Sequence, residues 1–299
     1  MKKNLLHDYK HHFIKKKNEN IIKKLLKIIN KIFFFFLKRR LSKEILKIES
    51  VNYHKDSFLK NSMINNLYDI SNIFFLKINF KFQEDRLKRY INNFYRFYIT
   101  EKFNIDGGMG FNNMLFLHLF IKATKPQTII ESGVYKGNTT KVIEISSKKF
   151  TKIYCCDINF SNLEYRSKKA KYFEKDLTLC NLNLKKKTLI FFDDHVSHYD
   201  RLMFSIKNKI DFLILDDDVS VQTIYSDGLP PVPTANMIYN FEKIPKNFKW
   251  VVNNALHSIN IKNLNVNKIR NYYYYIRMPE LKEITGYNNN SFTSFLIKR

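Results

Sequence analysis

The sequence contains little glycine, proline, cysteine and tryptophan, with 7, 6, 3 and 1 residues of 299. This scarcity excludes a collagen-like chain or a flexible linker, and 44% hydrophobic with 15% aromatic residues indicates a folded protein. Three cysteines without CxxC or Cys/His spacing predict neither a disulfide framework nor a cysteine-ligated metal site. Because disulfides are rare in reducing compartments, we expect a cytoplasmic protein.

The N-terminal residues also lack a segment that would enter or cross a membrane. The start, "MKKNLLHDYKHHF", has no continuous apolar core and no small-residue cleavage site, so it does not resemble a signal peptide. The longest apolar run nearby, residues 32–37, is too short to span a bilayer. We therefore expect no transmembrane segment.

Acidic residues are few compared with basic ones. The chain has 52 Lys and Arg against 27 Asp and Glu, a net charge of +25, and residues 1–60 alone hold 17 basic and 5 acidic residues. Such an excess favours a phosphate-rich partner or an anionic membrane surface. An A+T-rich genome, in which Lys and Asn codons are common, would produce the same excess without any function.

Residues 20–47 have the pattern of a basic amphipathic helix. Apolar side chains recur on one stripe, at Ile22, Leu25, Ile29, Phe33, Phe36 and Leu37. This helix either lies on an anionic membrane, which would make the protein peripheral at the membrane through residues 1–60, or packs its stripe on the following domain. Both interpretations stay open from the sequence.

The chain changes character near "NIDGGMGFNN", its first strong turn signal. We predict a basic, mainly helical extension over residues 1–104 and an α/β domain over 105–299. In the second part, apolar strands alternate with helices. The predicted strands are 128–134, 152–158, 171–175, 188–193 and 211–216, and the predicted helices are 138–149, 161–169 and 197–208.

The predicted strands indicate the type of sheet. "TLIFF" and "DFLIL" are continuous apolar runs, as expected when helices cover both faces of a parallel sheet. The alternation therefore predicts an α/β fold with a doubly wound, mostly parallel, Rossmann-like sheet and a ligand at the carboxyl ends of its strands. "NYYYYIRMP" and "SFTSFLIKR" predict a closing β-hairpin.

A glycine-containing turn follows the first predicted strand, in "IIESGVYKGNTT". Gly133 and Gly137 would let the backbone approach a ligand, and the helix start offers free N–H groups to a negative group. Asp157 ends the second strand about 20 residues later, where an acid can bind both ribose hydroxyls, and Asp176 follows the third strand, near the expected adenine. Each feature alone is common at strand ends, but the ordered set favours a nucleotide-type ligand.

Two acidic clusters follow the fourth and fifth strands. "FFDDH" ends with Asp193, Asp194 and His195, and "LILDDD" ends with residues 216–218. Carboxylates this close repel one another unless a cation is bound or their pKa values rise, and an oxygen-rich cluster suits Mg²⁺. A cap for a loop or helix is the alternative role for these residues. His198 and Arg201 lie on the next helix, where they either face the site or, as we expect, are exposed to solvent.

Together these residues resemble the class I S-adenosylmethionine-dependent methyltransferases. "IIESGVYKGNTT" is similar to their first motif, and Asp157 matches their ribose-binding acid. An acid after strand four and an Asp-Asp pair after strand five resemble the metal-dependent sugar O-methyltransferases typified by macrocin O-methyltransferase, and the cephalosporin-hydroxylase-like relatives. The resemblance covers about residues 107–225.

The resemblance implies a set of site residues and a reaction. S-adenosylmethionine would be bound by Glu131, Gly133, Gly137, Asp157 and Asp176. Mg²⁺ would be bound by Asp193, Asp216 and Asp217, and His195, together with Asp193, would serve the proton transfer. The implied reaction is methylation of a hydroxyl of a saccharide or a similar polyhydroxyl small molecule.

The sequence also departs from these families. Their first motif more often carries another glycine where Val134 or Tyr135 stands. "FFDDH" replaces the Asn/Asp-Pro-Pro-aromatic motif of enzymes that methylate base amino groups, so a nucleic-acid substrate is less favoured. The competing hypothesis is a non-catalytic Rossmann-like module that its basic arm attaches to an anionic membrane or to nucleic acid.

Overall fold

The computed structural model describes residues 57–101, 103, 108–182, 184, 187–226, 230–240, 246–252, 255–260, 264–288 and 291–299. The predicted amphipathic helix over residues 20–47 lies outside the described residues. Nine strands are present among the described residues: β1 (Thr128–Ser132), β2 (Lys152–Asp157), β3 (Ala170–Glu174), β4 (Thr188–Phe192), β5 (Phe212–Leu215), β6 (Asn247–Val252), β7 (Ala255–Asn260), β8 (Tyr273–Arg277) and β9 (Ser294–Lys298).

The helices of the described part surround these strands. They are α1 (Ser57–Lys77), α2 (Glu84–Thr100), α3 (Phe111–Thr124), α4 (Asn138–Ser146), α5 (His198–Lys207), α6 (Ala235–Tyr239), α7 (Val266–Tyr272) and α8 (Lys282–Thr285). Two short 3₁₀ helices lie at Leu177–Leu179 and Val221–Ser226. None of the helices in the described part has both the length and the apolar composition needed to cross a membrane.

Seven strands form one sheet in the order β3-β2-β1-β4-β5-β9-β8. Strands β1 to β5 are parallel, and β9 lies antiparallel between β5 and β8. The strand order reverses between β1 and β4, so a crevice opens there at the carboxyl ends of the strands. The predicted doubly wound sheet and the closing hairpin are confirmed. Strands β6 and β7 form a separate hairpin.

The two central strands β1 and β4 are buried along their whole length. Both strands carry consecutive apolar residues because helices cover both faces of the sheet, as the sequence predicted. Helix α3 is almost entirely buried as well, because it lies between the sheet and the two preceding helices.

Helices α1 and α2 share a hydrophobic core with the sheet. The ring of Phe74 in α1 lies 5.1 Å from that of Phe116 in α3 and 5.3 Å from that of Phe295 in β9, edge to face in both pairs. Leu67 and Ile91 belong to the same buried cluster. The division of the chain at residue 104 stays a prediction, and the helices on both sides of it contribute to one core.

The predicted helix over residues 161–169 is not present, and this segment consists of turns and extended chain. Its backbone hydrogen-bonds to the glycine turn instead. The backbone N–H groups of Glu164 and Tyr165 donate to the carbonyl oxygen of Lys136, at 3.2 and 3.0 Å. The Tyr165 hydroxyl also donates to Glu144 of α4, at 2.6 Å. These contacts hold the chain against the turn and take the place of helical hydrogen bonds.

Candidate functional site

A cavity of about 470 Å³ lies at the carboxyl ends of β1, β2, β3 and β4. Its volume is within the range of about 300–1,000 Å³ found for small-molecule sites. The turn after β1, the ends of β2 and β3, and the residues after β4 form its walls. They include Gly133, Asp157, Asn159, Asp176, Asp193 and His195.

Gly133 lets two strand ends meet at this cavity. Its φ is +85°, and a Cβ atom at this position would lie 2.1 Å from the carbonyl oxygen of Asp193. Any other residue would therefore push the turn away from the end of β4. Tyr135 in the same turn also has a positive φ, of 47°. Left-handed conformations are costly for residues other than glycine, and they concentrate at functional sites.

Gly137 has a packing role in the structure. Its φ is +82°, and an added Cβ would lie 2.2 Å from the carbonyl oxygen of Tyr165. It precedes α4 and does not line the cavity. Its assignment to cofactor binding stays a prediction, and its contact with the 161–169 segment explains why a glycine stands here.

Asp157 connects the end of β2 to the glycine turn. One carboxylate oxygen accepts hydrogen bonds from the backbone N–H groups of Val134 and Tyr135, at 2.7 and 3.3 Å. The other accepts from the N–H of Asn159, at 3.0 Å. The carboxylate therefore lies at the cavity wall in a defined orientation, as a ribose-binding acid requires.

Asp176 also lines the cavity, but its carboxylate is bound to Arg201. The guanidinium donates to both Asp176 oxygens, at 3.3 and 2.5 Å, and lies 2.9 Å from a carboxylate oxygen of Asp194. The hydrogen bond from Arg201 lowers the pKa of Asp176, and hydrogen bonds from Thr178 act in the same direction. The Asp176 charge thus faces a cation from α5 as well as the cavity.

The expectation that Arg201 and His198 are exposed was wrong, since each is only 2% exposed. Arg201 contacts Asp176 after β3 and Asp194 after β4. His198 Nδ1 accepts a hydrogen bond from the backbone N–H of Ala235, at 3.1 Å. Helical periodicity places both residues on one face of α5 but does not say which face the sheet covers. The acidic residues at the strand ends could have predicted that Arg201 is buried, because buried carboxylates need a cation.

Glu131 is fully buried and does not line the cavity. The Thr140 hydroxyl and the Cys155 thiol donate to its Oε2, at 2.5 and 3.5 Å. Burial raises the pKa of Glu131 to about 8, and the nearby charge of Asp157 acts in the same direction. The structure therefore places this carboxyl group beneath the glycine turn, and its role in cofactor binding stays a prediction.

Asp193, His195 and Asp217 come together beside the cavity. Each offers a ligand atom, and the three atoms lie within 4.8 Å of one another. His195 Nδ1 lies 3.5 Å from a carboxylate oxygen of Asp217. His195 and Asp217 both adopt positive φ, of 55° and 53°, three residues after the end of β4 and two after the end of β5. These turns direct the two side chains toward the same point.

Asp193 has the electrostatics expected of a metal ligand. Burial raises its pKa well above the ordinary value, and the charges of Asp216, Asp217 and Asp194 raise it further. A divalent cation between the carboxylates would relieve this repulsion. The residues present therefore fit a metal ion.

Asp216 is not part of this three-residue cluster, although its charge acts on Asp193. It is 4% exposed, and one of its oxygens accepts hydrogen bonds from the hydroxyls of Ser291 and Thr293, at 2.7 and 2.6 Å. The structure thus brings together Asp193 and Asp217 of the predicted metal set, adds His195 to them, and connects Asp216 to the segment before β9. The assignment of Asp216 as a ligand stays a prediction.

No protein-family model and no curated protein matches the sequence. Among solved structures, an O-methyltransferase from Bacillus cereus in complex with SAH is 11% identical and matches 76% of this chain and 97% of its own, with a TM-score of 0.40. A putative O-methyltransferase from Klebsiella pneumoniae is 13% identical over 77% and 96% of the two chains, with a TM-score of 0.42.

A CmcI structure described with SAH is 17% identical over 36% of this chain, and the matched region spans 61% of that chain, with a TM-score of 0.30. These TM-scores are all below 0.5. The functional interpretation of this chain therefore rests on its strand order and on the geometry of its site.

Proposed function

We propose that this chain is an S-adenosylmethionine-dependent enzyme that methylates a hydroxyl of a saccharide or similar polyhydroxyl small molecule, with the help of a divalent metal ion. One observation carries the proposal. A cavity of about 470 Å³ at the point where the strand order reverses is lined by Gly133 and Asp157, after β1 and at the end of β2, and by Asp193 and His195, after β4. A nucleotide-type cofactor and an acidic reaction centre would therefore be neighbours.

The cofactor would lie across the ends of β1, β2 and β3. The turn at Gly133 allows close approach of its aminoacyl part, and Asp157 faces the expected ribose. Asp176 and Leu177 line the cavity beyond the ribose position, where an adenine would lie. Arg201 balances the Asp176 charge, so an uncharged base meets no unpaired carboxylate there.

Asp193 and Asp217 would hold the metal ion, because hard divalent cations such as Mg²⁺ prefer carboxylate oxygens. When bound, the ion supplies Lewis-acid chemistry, orienting acceptor oxygens and lowering the pKa of the hydroxyl to be methylated. An acceptor with vicinal hydroxyls, such as a saccharide, would suit a site built from these two carboxylates and a metal ion.

His195 would accept the proton of the acceptor hydroxyl. Its ring is 45% exposed beside the cavity, and Asp217 can hold one ring nitrogen so that the other faces the acceptor. Methyl transfer itself then needs little more than an in-line arrangement of the acceptor oxygen and the sulfonium group. The rigid strand ends β4 and β5 provide that positioning.

The test of the cofactor site is isothermal titration of the full chain with S-adenosylhomocysteine. We expect micromolar binding, weakened at least about tenfold in Asp157→Ala because the ribose loses a charge-assisted partner. Asp69→Asn, an exposed carboxylate on α1, is the matched control and should bind normally. Equal affinity of Asp157→Ala and the unaltered chain would remove the ribose assignment.

The role of His195 is tested separately from the metal site. Asp217→Asn should weaken Mg²⁺ binding at least about tenfold in a titration without substrate. His195→Gln should leave Mg²⁺ affinity within about twofold and slow methyl transfer about 10²-fold or more with a changed pH–rate profile. If His195→Gln instead weakens metal binding as much as Asp217→Asn does, His195 is a ligand and not the base.

A further inference from the structure

The edge of the sheet opposite the candidate site is rich in lysine. The chain enters every parallel strand at this edge, because parallel strands all begin on the same side. The loops before β1, β2, β4 and β5, together with the end of α5, expose Lys125, Lys148, Lys149, Lys187, Lys207 and Lys209. Strand β9 runs antiparallel, so it ends at this edge with exposed Lys298 and Arg299. We call these eight residues the lysine face.

Acidic side chains concentrate at the carboxyl edge of the sheet, where cations such as Lys136 and Lys175 accompany them. The carboxylates after β2, β4 and β5, such as Asp157, Asp193 and Asp217, lie at the carboxyl edge. Asp211 also lies at the lysine face, where its carboxylate accepts a hydrogen bond from the backbone N–H of Thr188, at 3.0 Å. A biased genome composition raises the number of lysines everywhere but does not gather eight exposed cations on one edge of the sheet. This concentration favours an anionic partner.

Two adjoining cavities of about 260 and 220 Å³ deepen this face into a groove. Both are lined by Arg86, Lys122 and Lys125, and neither has an Asp or Glu among its described lining residues. The Lys122 ammonium donates to the carbonyl oxygen of Ser146, at 2.7 Å, and burial lowers its pKa. In the described part of the chain, no carboxylate forms an ion pair with Lys122. The groove is thus shaped to receive an anionic group such as a phosphate.

An exposed aromatic ring stands beside the groove. Phe150 is 87% exposed in the turn between α4 and β2, and the Lys149 ammonium lies 5.8 Å from its ring centroid. Lys148 and Thr151, on either side of this pair in sequence, line the groove. Aromatic rings flanked by lysines are typical of surfaces at the lipid headgroup level, where the ring enters the interface and the ammonium groups meet anionic lipids.

We propose that the lysine face docks on a bilayer that contains anionic phospholipid. The groove receives a headgroup phosphate, Phe150 enters the interfacial region, and the surrounding lysines contact neighbouring headgroups. Charge complementarity selects this partner, and the exposed ring distinguishes an interface from a purely charged surface. The candidate site then faces away from the membrane, so its acceptor arrives from the aqueous phase. This contact is separate from any contact made by residues 1–60.

The test is co-sedimentation of the full chain with vesicles of phosphatidylglycerol and phosphatidylcholine, and with vesicles of phosphatidylcholine alone. We expect binding to the anionic vesicles that weakens as salt is raised. Lys148→Glu/Lys149→Glu should lower the partition coefficient at least about tenfold, because each lysine near the surface contributes about fivefold. Phe150→Ala should lower it severalfold with no change in its salt dependence.

Lys249→Glu/Lys282→Glu is the matched control, since it makes the same charge change at exposed residues outside the lysine face. It should keep at least half of the affinity. Equal losses in the two double variants, or no loss in either, would overturn the proposal, because the overall charge or another segment would then carry the binding. The proposal would also be overturned if the chain did not bind anionic vesicles but bound double-stranded DNA, and if this DNA binding depended on Lys148 and Lys149. The lysine face would then be a nucleic-acid surface.

Discussion

At the scale of single residues, Glu131, whose role in cofactor binding stays a prediction, has a structural role beneath the glycine turn. Its side chain is fully buried, and hydrogen bonds from Thr140 and Cys155 join β1, α4 and β2 beneath the glycine turn. With a pKa of about 8, the group is mostly protonated near neutral pH. It is therefore a neutral hydrogen-bonding group that supports the turn from below.

The raised pKa of Glu131 gives a pH-dependent stability. Its folded pKa of about 8 is above its unfolded value of 4.5, so its contribution is complete below pH 4.5 and is lost as pH rises through about 8. The loss amounts to at most about 5 kcal/mol, from about 1.4 kcal/mol per pKa unit. We expect Glu131→Gln, followed by urea unfolding between about pH 5 and 9, to flatten this decline.

Glu283→Gln, on the surface of α8, is the control for the Glu131 experiment and should leave the slope unchanged. If Glu131→Gln and the unaltered chain lose stability in parallel as pH rises, Glu131 is not protonated in the folded protein.

Gly133 is the residue at which backbone geometry limits the site most directly. Gly133→Ala would place a methyl group 2.1 Å from a backbone oxygen of Asp193 in a left-handed conformation. We expect a loss of about 2–4 kcal/mol in the free energy of unfolding and at least tenfold weaker S-adenosylhomocysteine binding. Gly108→Ala is the matched control, because no atom of the described residues, apart from its neighbours in the chain, lies within 4 Å of its added Cβ. Equal affinities in the two variants would contradict a cofactor role for the turn.

At the scale of elements, helix α5 joins the ends of β3 and β4 through Arg201. The buried guanidinium contacts Asp176 after β3 and Asp194 after β4, and Asp194 in turn accepts a hydrogen bond from Ser132 of β1, at 2.5 Å. One helix side chain therefore links the ends of β3 and β4 directly and, through Asp194, the end of β1. The same arrangement leaves both carboxylates with a charge partner.

Arg201→Met should leave Asp176 and Asp194 without their cation. Because removing one partner of a buried ion pair leaves an uncompensated charge, we expect a loss of about 3–5 kcal/mol in the free energy of unfolding. Arg89→Met, an exposed residue of α2, should change it by less than about 0.5 kcal/mol. Urea unfolding at neutral pH measures both. A loss below about 1 kcal/mol in Arg201→Met would show that the network adds little to stability.

At the scale of the whole molecule, helices α1 and α2 and the α/β sheet share one core. Phe74 of α1 packs against Phe116 of α3 and Phe295 of β9, and β9 is the strand inserted between β5 and β8. The contact therefore couples residues far apart in the chain. We propose that residues 57–100 unfold together with the sheet.

Phe74→Ala tests this coupling. A buried Phe-to-Ala change costs about 3–5 kcal/mol, and we expect the loss to appear in one cooperative transition seen by both circular dichroism and fluorescence. Phe58→Ala in the same helix is the control, since Phe58 is 77% exposed and its loss should cost less than about 0.5 kcal/mol. If unfolding instead shows two separate transitions and Phe74→Ala shifts only one of them, residues 57–100 form a unit that unfolds independently of the sheet.

The sequence by itself determined the doubly wound sheet, the closing hairpin and the edge at which the acidic residues gather. Apolar runs of strand length alternating with helical periods leave few topologies open, and parallel strands bring their carboxyl ends to one side. For the same reason, Gly133, Asp157, Asp193 and Asp217 were predictable as neighbours of one cavity.

Only the tertiary structure decided which way individual side chains face and what they contact. It paired Arg201 with Asp176, turned Asp216 toward Ser291, buried Glu131, and held residues 161–169 against the glycine turn in place of a helix. Local sequence carries no information on such long-range partners. Hydrogen bonds and charge pairs between segments far apart in the chain outweigh local preferences wherever burial makes an unpaired polar group costly.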